Sequence, residues 1–239
     1  MIRFVEIGGR ADEPLVDELH RGIYLDEFAD QVEPVEAWKH ALWSGESPYA
    51  MTIRVARDSS SGAIVGGIAF EHYPRSGCGL VTYMVVAPSG RRHGVGRRLL
   101  GDAVAALHAR GAPIVFGEVN DPRRADGNKR EPADAAWARL ERNQRWGARV
   151  VDARYVQPAL GAGLARDRGL CLIALAGPVI DPLRGAAPLP DALDGAIVRA
   201  FVAELHEVTE RRAPDDEVRA LLAAIPALVA LVTVARSAA

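Results

Sequence analysis

Cysteine is scarce in this sequence, with 2 residues, Cys78 and Cys171, among 239. Two thiols cannot form the framework of several disulfides that holds small secreted domains together, and no spacing of cysteine and histidine resembles a zinc site. An excess of basic charge is lacking too, because the formal net charge is −2. Without a global basic field or aromatic residues between the basic ones, binding to nucleic acid is a weak hypothesis. The sequence therefore predicts no metal centre and no nucleic-acid partner.

Long apolar runs are absent as well. The longest such stretch, residues 220–234, is shorter than the ~20 residues needed to span a bilayer, and Pro226 interrupts it. The first residues lack the basic and then apolar layout of a secretory signal peptide. We therefore expect a cytoplasmic protein, bacterial in style, without a membrane partner.

The residues that are present suit one large domain with an appendage, because 49% are hydrophobic and 25% are charged. Helix-start signals stand at Asp12 and Pro34, and a further helix is expected over residues 132–146. A predicted helix with a glycine- and arginine-rich loop before it separates two of the strands, an order typical of a βαβ unit with parallel strands. The strands are expected near residues 4–7, 51–56, 63–70, 80–86, 114–119, 149–156 and 170–176, the second and third forming a hairpin.

The composition shifts after Gly177, where prolines between residues 178 and 190 predict a linker. Helical patterns follow over residues 193–208 and 214–234, the second with a kink at Pro226. So apolar a tail cannot be stable alone, and we expect it to dock on the sheet domain or on a second subunit, as in a homodimer. The predicted organisation is a domain of residues 1–177 followed by a linker and helical extension of residues 178–239.

The loop at residues 91–96 reads Arg-Arg-His-Gly-Val-Gly and opens a predicted helix. The first turn of a helix has unpaired N–H groups and a partial positive charge. Two glycines would let an anion approach this backbone and three arginines would surround it with charge: Gly94, Gly96, Arg91, Arg92 and Arg97. The loop matches neither a nucleoside triphosphate loop nor a dinucleotide fingerprint, since Gly-Lys-Ser/Thr is missing and Leu99 stands where a third glycine belongs. It predicts a seat for a pyrophosphate.

From Val86 to Leu100 the chain reads V-x-P-x-x-R-x-x-G-x-G-x-x-L-L, after a strand and before a helix. This motif resembles the acetyl-CoA-binding motif of the GNAT family of N-acetyltransferases, and the predicted order of elements agrees with that family from Met1 to about Gly177. The resemblance implies a mixed α/β fold with a central, mostly antiparallel sheet, a splayed parallel strand pair and flanking helices. The C-terminal helical extension would be added to it.

The resemblance also implies acetyl-CoA as the cosubstrate. The strand before the loop would bind the pantetheine arm and supply the oxyanion donor through its main chain, the loop would hold the pyrophosphate, and the thioester would enter between the splayed strands. The residues so implied are Met84, Val85, Val86, Arg91, Arg92, His93, Gly94, Val95, Gly96, Arg97 and Asn143.

Acetyl transfer to an amine needs a base, since a free amine of pKa ~10 must lose a proton. Glu118, near the end of the 114–119 strand, is the first candidate. The same sequence is also consistent with an exposed carboxylate at the end of a strand that has no role in the reaction. Family members often carry a tyrosine as general acid where this sequence has Asn143. Tyr155 or Tyr83 could take that role, or each could pack in the sheet, since tyrosine favours strands.

The first two helices carry residues that could serve an acceptor. In this family the helix pair roofs the acceptor pocket, so Trp38 and Trp43 could stack on a substrate or simply pack in the core. A set of carboxylates nearby would suit a cationic amine, and a solvated helix face explains them equally: Asp26, Glu27, Asp30, Glu33 and Glu36.

Functions from different classes stay open. The leading one is an N-acetyltransferase that acts on a small-molecule amine or a protein lysine by direct attack in a ternary complex. The alternative is an acyl-CoA-binding module with little or no turnover that acts through its helical tail. A third is an assembly role for residues 191–234.

Overall fold

The computed structural model describes residues 1–27, 33–124, 131–161, 163–175, 179–181, 185–186 and 188–236. The chain divides into two compact units, one of residues 1–74 and 79–111 and the other of residues 75–78 and 112–239. The domain boundary predicted at Gly177 lies outside the described residues and stays a prediction.

The first unit is an antiparallel meander with helices packed against it. Its strands pair in the order β1-β2-β3-β4. Its elements are β1 (Ile2–Glu6), α1 (Glu13–Leu19), α2 (Leu25–Glu27), α3 (Val35–Trp43), β2 (Ala50–Asp58), β3 (Ile64–His72), β4 (Gly79–Val86) and α4 (Val95–Ala109).

The hairpin predicted from the β-rich runs is confirmed as β2 and β3. Asp58 Oδ1 accepts the N–H groups of Ser60 and Ser61 at 2.8 and 3.0 Å, and Gly62 takes the left-handed φ of +75° that lets the chain reverse. Asp58 therefore uses its side chain to satisfy the backbone of the turn that joins the two strands.

Two helices of the first unit, α1 and α4, each bury one stripe of residues. On α4 the buried stripe includes Leu99, Ala103 and Leu107, and the helix contacts β3 and β4. On α1 the buried residues are Val16 and Leu19. This spacing of three and four residues is the one that predicts an amphipathic helix on a sheet.

The second unit is also built on antiparallel strands, in the order β5-β7-β6-β11-β10, with a separate pair β8 and β9. Its elements are β5 (Val115–Asn120), α5 (Ala133–Arg145), β6 (Arg149–Val151), β7 (Leu170–Leu175), β8 (Val179–Asp181), β9 (Gly185–Ala186), β10 (Ala192–Asp194), α6 (Gly195–Glu210), α7 (Asp216–Ala223) and β11 (Leu228–Val232). Mostly antiparallel strands with flanking helices and the C-terminal helices α6 and α7 confirm the predicted mixed α/β class.

The second helical pattern of the tail is only partly a helix, so that prediction is wrong beyond Ala223. After Pro226 the chain forms β11, which pairs with β6 through Leu231 opposite Val151. Leu231 and Val229 are buried while Leu228 is 68% exposed, which is the two-residue period of a strand. An unbroken apolar run hides that period, because burial then differs between residues of equal hydrophobicity.

Two further segments differ from the predicted elements. The strand expected over residues 149–156 ends at Val151, and the chain then runs irregularly to an isolated bridge between Gln157 and Asp167. The predicted linker contains the short β8 and β9 pair. Within the described residues, no helix has the length and apolarity that crossing a membrane requires.

Candidate functional site

The loop after β4 is fixed close to β3 by its backbone. The N–H of Ala87 donates to the carbonyl oxygen of Val65 at 3.0 Å, and the N–H of Gly90 donates to Ala87 O at 2.9 Å. A Cβ on Gly90 would lie 2.5 Å from Val65 O, closer than real Cβ atoms come to a carbonyl. Glycine is therefore required here, and it sets the course of the chain towards α4.

Gly94 forms the N-terminal cap of α4. It has a φ of +73°, a left-handed conformation that glycine adopts without strain, and its carbonyl oxygen accepts the N–H of Arg98 at 3.0 Å. Arg92 has a positive φ of +67° as well, which is uncommon for a residue with a side chain. Arg92 and Gly94 thus both have a left-handed backbone conformation, and these two residues turn the loop into the start of the helix.

The amides at this helix start are available to a ligand. Residues 91–94 are exposed. Within the described part of the chain, the N–H groups of residues 92–97 have no acceptor, as expected for a first helical turn. The positive end of a 15-residue helix dipole adds to them. The arrangement has the character of an anion site.

The arginines of this loop divide into two groups. Arg91 is engaged within the chain, since its Nε donates to Val86 O at 3.1 Å, its Nη2 lies 2.5 Å from Glu27 Oε1 and its N–H donates to Pro88 O at 3.3 Å. Arg92 and Arg97 are exposed and have no ion pair among the described residues. The arginines free to face an anion are therefore Arg92 and Arg97, while Arg91 holds the loop to Val86 and Glu27.

The residues predicted to bind the pantetheine arm lie on β4. The pairing of β3 with β4 slips at Ala69 and Phe70, so that Thr82 is an extra residue in β4 two residues before Met84. Such a bulge increases the local twist of a strand. Val85 is buried, whereas Met84 and Val86 are half-buried.

In the second unit the structure brings together the two residues predicted to be catalytic. The hydroxyl of Tyr155 donates to Glu118 Oε1, and Nε2 of Gln157 donates to Glu118 Oε2 at 3.1 Å. Glu118 lies on β5, and Tyr155 and Gln157 lie two residues apart in the irregular segment after β6. Both carboxylate oxygens of a half-buried Glu118 thus have a donor.

The surroundings of Glu118 and Tyr155 raise the pKa of both side chains. Burial raises the pKa of Glu118, against the hydrogen bonds from Tyr155 and Gln157, which favour the carboxylate. Burial, together with the neighbouring Glu118, raises the pKa of Tyr155 well above its ordinary value. The phenol of Tyr155 therefore keeps its proton near neutral pH, and Glu118 binds a proton more tightly than an exposed glutamate does.

No motif in the sequence marks Gln157 as a partner of Glu118. The spacing of Tyr155 and Gln157 was the available signal, because residues two apart in an extended chain lie on the same side. Their common partner Glu118 lies 37 residues from Tyr155 in the sequence, so the spacing alone could not show what they bind.

Other candidate residues have partners inside their own unit. The side chain of Asn143 on α5 donates to Arg139 O at 3.0 Å. Tyr83 packs against Tyr24 and Trp38, with ring centroids 5.0 and 5.6 Å away. Its burial agrees with the packing interpretation of that tyrosine.

The acidic residues near the first helices are not a continuous solvated rim. Glu27 pairs with Arg91, and Glu33 Oε2 accepts the indole N–H of Trp38 at 2.8 Å. Burial raises the pKa of Glu33. Asp30 lies outside the described residues, and no cluster of three or more His, Cys, Asp or Glu side chains able to hold a metal is found in the described ranges.

Part of the chain matches a known protein family. Residues 15–126 match the model of the acetyltransferase (GNAT) family. A comparison with curated proteins gives no match. A solved nourseothricin acetyltransferase is 23% identical over 52% of this chain and 64% of its own, with a TM-score of 0.38, so the match spans less than two thirds of that protein.

Two further solved structures share the fold. An acetyltransferase of the GNAT family from Staphylococcus aureus is 13% identical, with 73% of this chain and 98% of that chain covered and a TM-score of 0.50. A tandem GNAT protein from the clavulanic acid biosynthesis pathway is 20% identical, with 66% and 46% covered and a TM-score of 0.50. Residues 15–126 are therefore similar to the acetyltransferase (GNAT) family, and the chain shares the fold of these two structures.

Proposed function

We propose that the protein is an N-acetyltransferase that moves the acetyl group of acetyl-CoA to a primary amine by direct attack in a ternary complex. The observation that supports this most is the exposed loop of residues 91–94 before α4, together with the N–H groups of residues 92–97, which lack acceptors within the described chain. Arg92 and Arg97 add charge beside them. A diphosphate has the charge and the lone pairs that such a helix start attracts.

Acetyl-CoA supplies the acetyl group as a thioester, and the remaining chemistry consists of proton movements that Glu118 and Tyr155 can perform. An amine of pKa ~10 is mostly protonated at neutral pH, so a base must take its proton before nitrogen forms a bond to the acetyl carbon. Glu118, with its raised pKa, is suited to hold that proton.

Tyr155 completes the proton balance. Because its pKa is raised, its hydroxyl holds a proton that it can give to a leaving thiolate. The hydrogen bond to Glu118 Oε1 then offers a route by which the proton taken from the amine returns to Tyr155. The carbon–nitrogen bond forms, the carbon–sulfur bond breaks, and the nitrogen gives its second proton to solvent as it becomes an amide. Both side chains end in the state in which they began.

Titration calorimetry with acetyl-CoA tests the seat, and release of free thiol over a panel of amines tests turnover. We expect Glu118→Gln to bind acetyl-CoA normally and to lose roughly 10²- to 10⁴-fold in kcat, the usual contribution of a general base. Glu46→Gln, at an exposed glutamate, is the matched control and should keep full activity. Absence of binding at millimolar acetyl-CoA would end the proposal.

The amine panel should contain small diamines and a lysine-bearing peptide, because a small-molecule amine and a protein lysine are both consistent with a primary-amine acceptor. Binding of acetyl-CoA without thiol release for any amine would favour an acyl-CoA-binding module instead.

A further inference from the structure

The irregular segment after β6 carries both donors to Glu118, so its placement decides the geometry of the pair. Tyr155 and Gln157 each donate to one carboxylate oxygen, and Val156 lies between them. Among the described residues the segment has no strand partner at Tyr155, since β6 ends at Val151 and the bridge found in this part of the chain joins Gln157 to Asp167. Contacts other than the hydrogen bonds of a β-ladder must therefore keep the segment with Tyr155 and Gln157 in place.

The helix α6 supplies such contacts at two points. Nε2 of His206 donates to Val156 O at 2.9 Å, and Glu210 Oε1 accepts the N–H of Ala159 at 3.2 Å. His206 and Glu210 are four residues apart and so lie on one face of the helix. One side chain satisfies a carbonyl and the other an amide of the same short segment.

The same helix is also fixed to the strand that carries Glu118. Phe201 on α6 stacks on Phe116 of β5, with ring centroids 4.6 Å apart and planes inclined by 26°. Phe116 and Glu118 are two residues apart on the strand and therefore lie on one face of it. α6 thus contacts both the strand that presents the carboxylate and the segment that presents its donors.

We propose that His206 is a positioning residue: through its hydrogen bond to Val156 O, it holds the segment that places Tyr155 and Gln157 against Glu118. The proposal rests on the function proposed above for Glu118 and Tyr155. It gives the C-terminal extension a role in the reaction, because α6 lies beyond the residues that match the family model.

The tautomer of His206 follows from its partner. A carbonyl can only accept, so Nε2 carries the proton and Nδ1 does not. Nδ1 is buried without a hydrogen-bond partner in the described chain and lies 3.6 Å from Glu210 Oε1. Burial lowers the pKa of His206, with Arg166 acting in the same direction and Glu210 against it, so the imidazole is neutral near pH 7.

The test compares three variants of the full chain. His206→Leu removes the donor and keeps an apolar side chain, whereas His206→Gln keeps an N–H that can reach Val156 O. Glu207→Gln is the matched control, because Glu207 lies next to His206 on α6 and makes an exposed ion pair with Arg75. Near-ultraviolet circular dichroism checks that each variant is folded, and His206→Met replaces the leucine variant if that one does not fold.

Two readouts separate positioning from stability. The first is the tyrosine ¹³Cζ spectrum, in which the signal of Tyr155 is the one that Tyr155→Phe removes. The second is kcat and KM for acetyl transfer. We expect His206→Leu to move the Tyr155 signal towards that of a free tyrosine and to lower kcat roughly 10- to 100-fold with KM for acetyl-CoA unchanged. His206→Gln should restore both, and Glu207→Gln should change neither.

The proposal is overturned if the Tyr155 signal of His206→Leu equals that of the wild type, or if His206→Gln and His206→Leu are equally impaired. The spectrum needs no turnover. If the wild type transfers acetyl to no amine, the proposed function fails, while the shift of the Tyr155 signal still decides whether His206 positions the segment.

Discussion

Removal of the Tyr155 hydroxyl tests whether Glu118 acts as a base in the environment that the fold gives it. Tyr155→Phe keeps the ring and removes the group that donates to Glu118 Oε1, while Gln157 remains 3.1 Å from Oε2. Burial raises the pKa of Glu118 and the hydrogen bonds oppose it. With one of them lost, burial is less opposed, and the pKa of Glu118 rises further.

The size of the effect follows from the bond that is removed. A hydrogen bond to a charged group contributes about 1.5–3 kcal/mol. Because about 1.4 kcal/mol corresponds to a factor of ten, the affinity of the carboxylate for a proton should increase roughly 10- to 100-fold. Gln157→Leu removes a longer bond from a neutral amide and should give a smaller increase in the same direction.

The pH dependence of kcat/KM in the thiol-release assay measures this effect. A base must be deprotonated to work, so activity rises with pH as Glu118 loses its proton, and Tyr155→Phe should move that rise to higher pH. Tyr49→Phe, the same chemical change in a tyrosine that stacks on Tyr73, should leave the profile in place. An unchanged rise, or one moved to lower pH, would show that Tyr155 does not stabilise the carboxylate of the base.

Three other substitutions test the seat and the packing of the second unit. Gly90→Ala places a Cβ 2.5 Å from Val65 O, and a strain of about 1–3 kcal/mol should weaken acetyl-CoA binding in calorimetry about tenfold or more; unchanged affinity would contradict the loop geometry. Gly94→Glu should abolish binding, since it brings bulk and like charge to the phosphates, and a normal dissociation constant would show that the seat lies elsewhere. Arg166→Met should lower the free energy of unfolding in urea at pH 7 by about 1.5–3 kcal/mol, because Arg166 and Glu210 are both buried and the variant leaves Glu210 with the more exposed Arg212 as its ion-pair partner. Arg166, together with the N–H of Ala159 and Arg212, lowers the pKa of Glu210 from 4.5 to about 2, so the stabilisation from this pairing is present above pH 4.5 and is lost as the pH falls towards 2; the difference between wild type and variant should therefore shrink in acid, and a constant difference would refute the assignment.

The sequence by itself determined the parts of this protein whose geometry is local. The loop before α4 needs glycine at position 94 for a left-handed φ, and that requirement is met within a few residues. The turn at Asp58 and the start of α1 are likewise set by neighbours in the chain. Steric limits on the backbone act at short range, so a motif of this kind can be recognised before the fold is known.

Only the tertiary structure decided which distant residues meet. Glu118 was recognisable as a carboxylate on a strand, but its donor Tyr155 is 37 residues away and the histidine that holds Val156 is another 50 residues on. The burial that raises the pKa of Glu118 comes from segments brought over β5 by packing, as with the stack of Phe201 on Phe116. Tertiary structure also decided that residues 228–232 form the strand β11. An apolar run is compatible with a helix or a strand, and here β6 offers hydrogen bonds to its backbone.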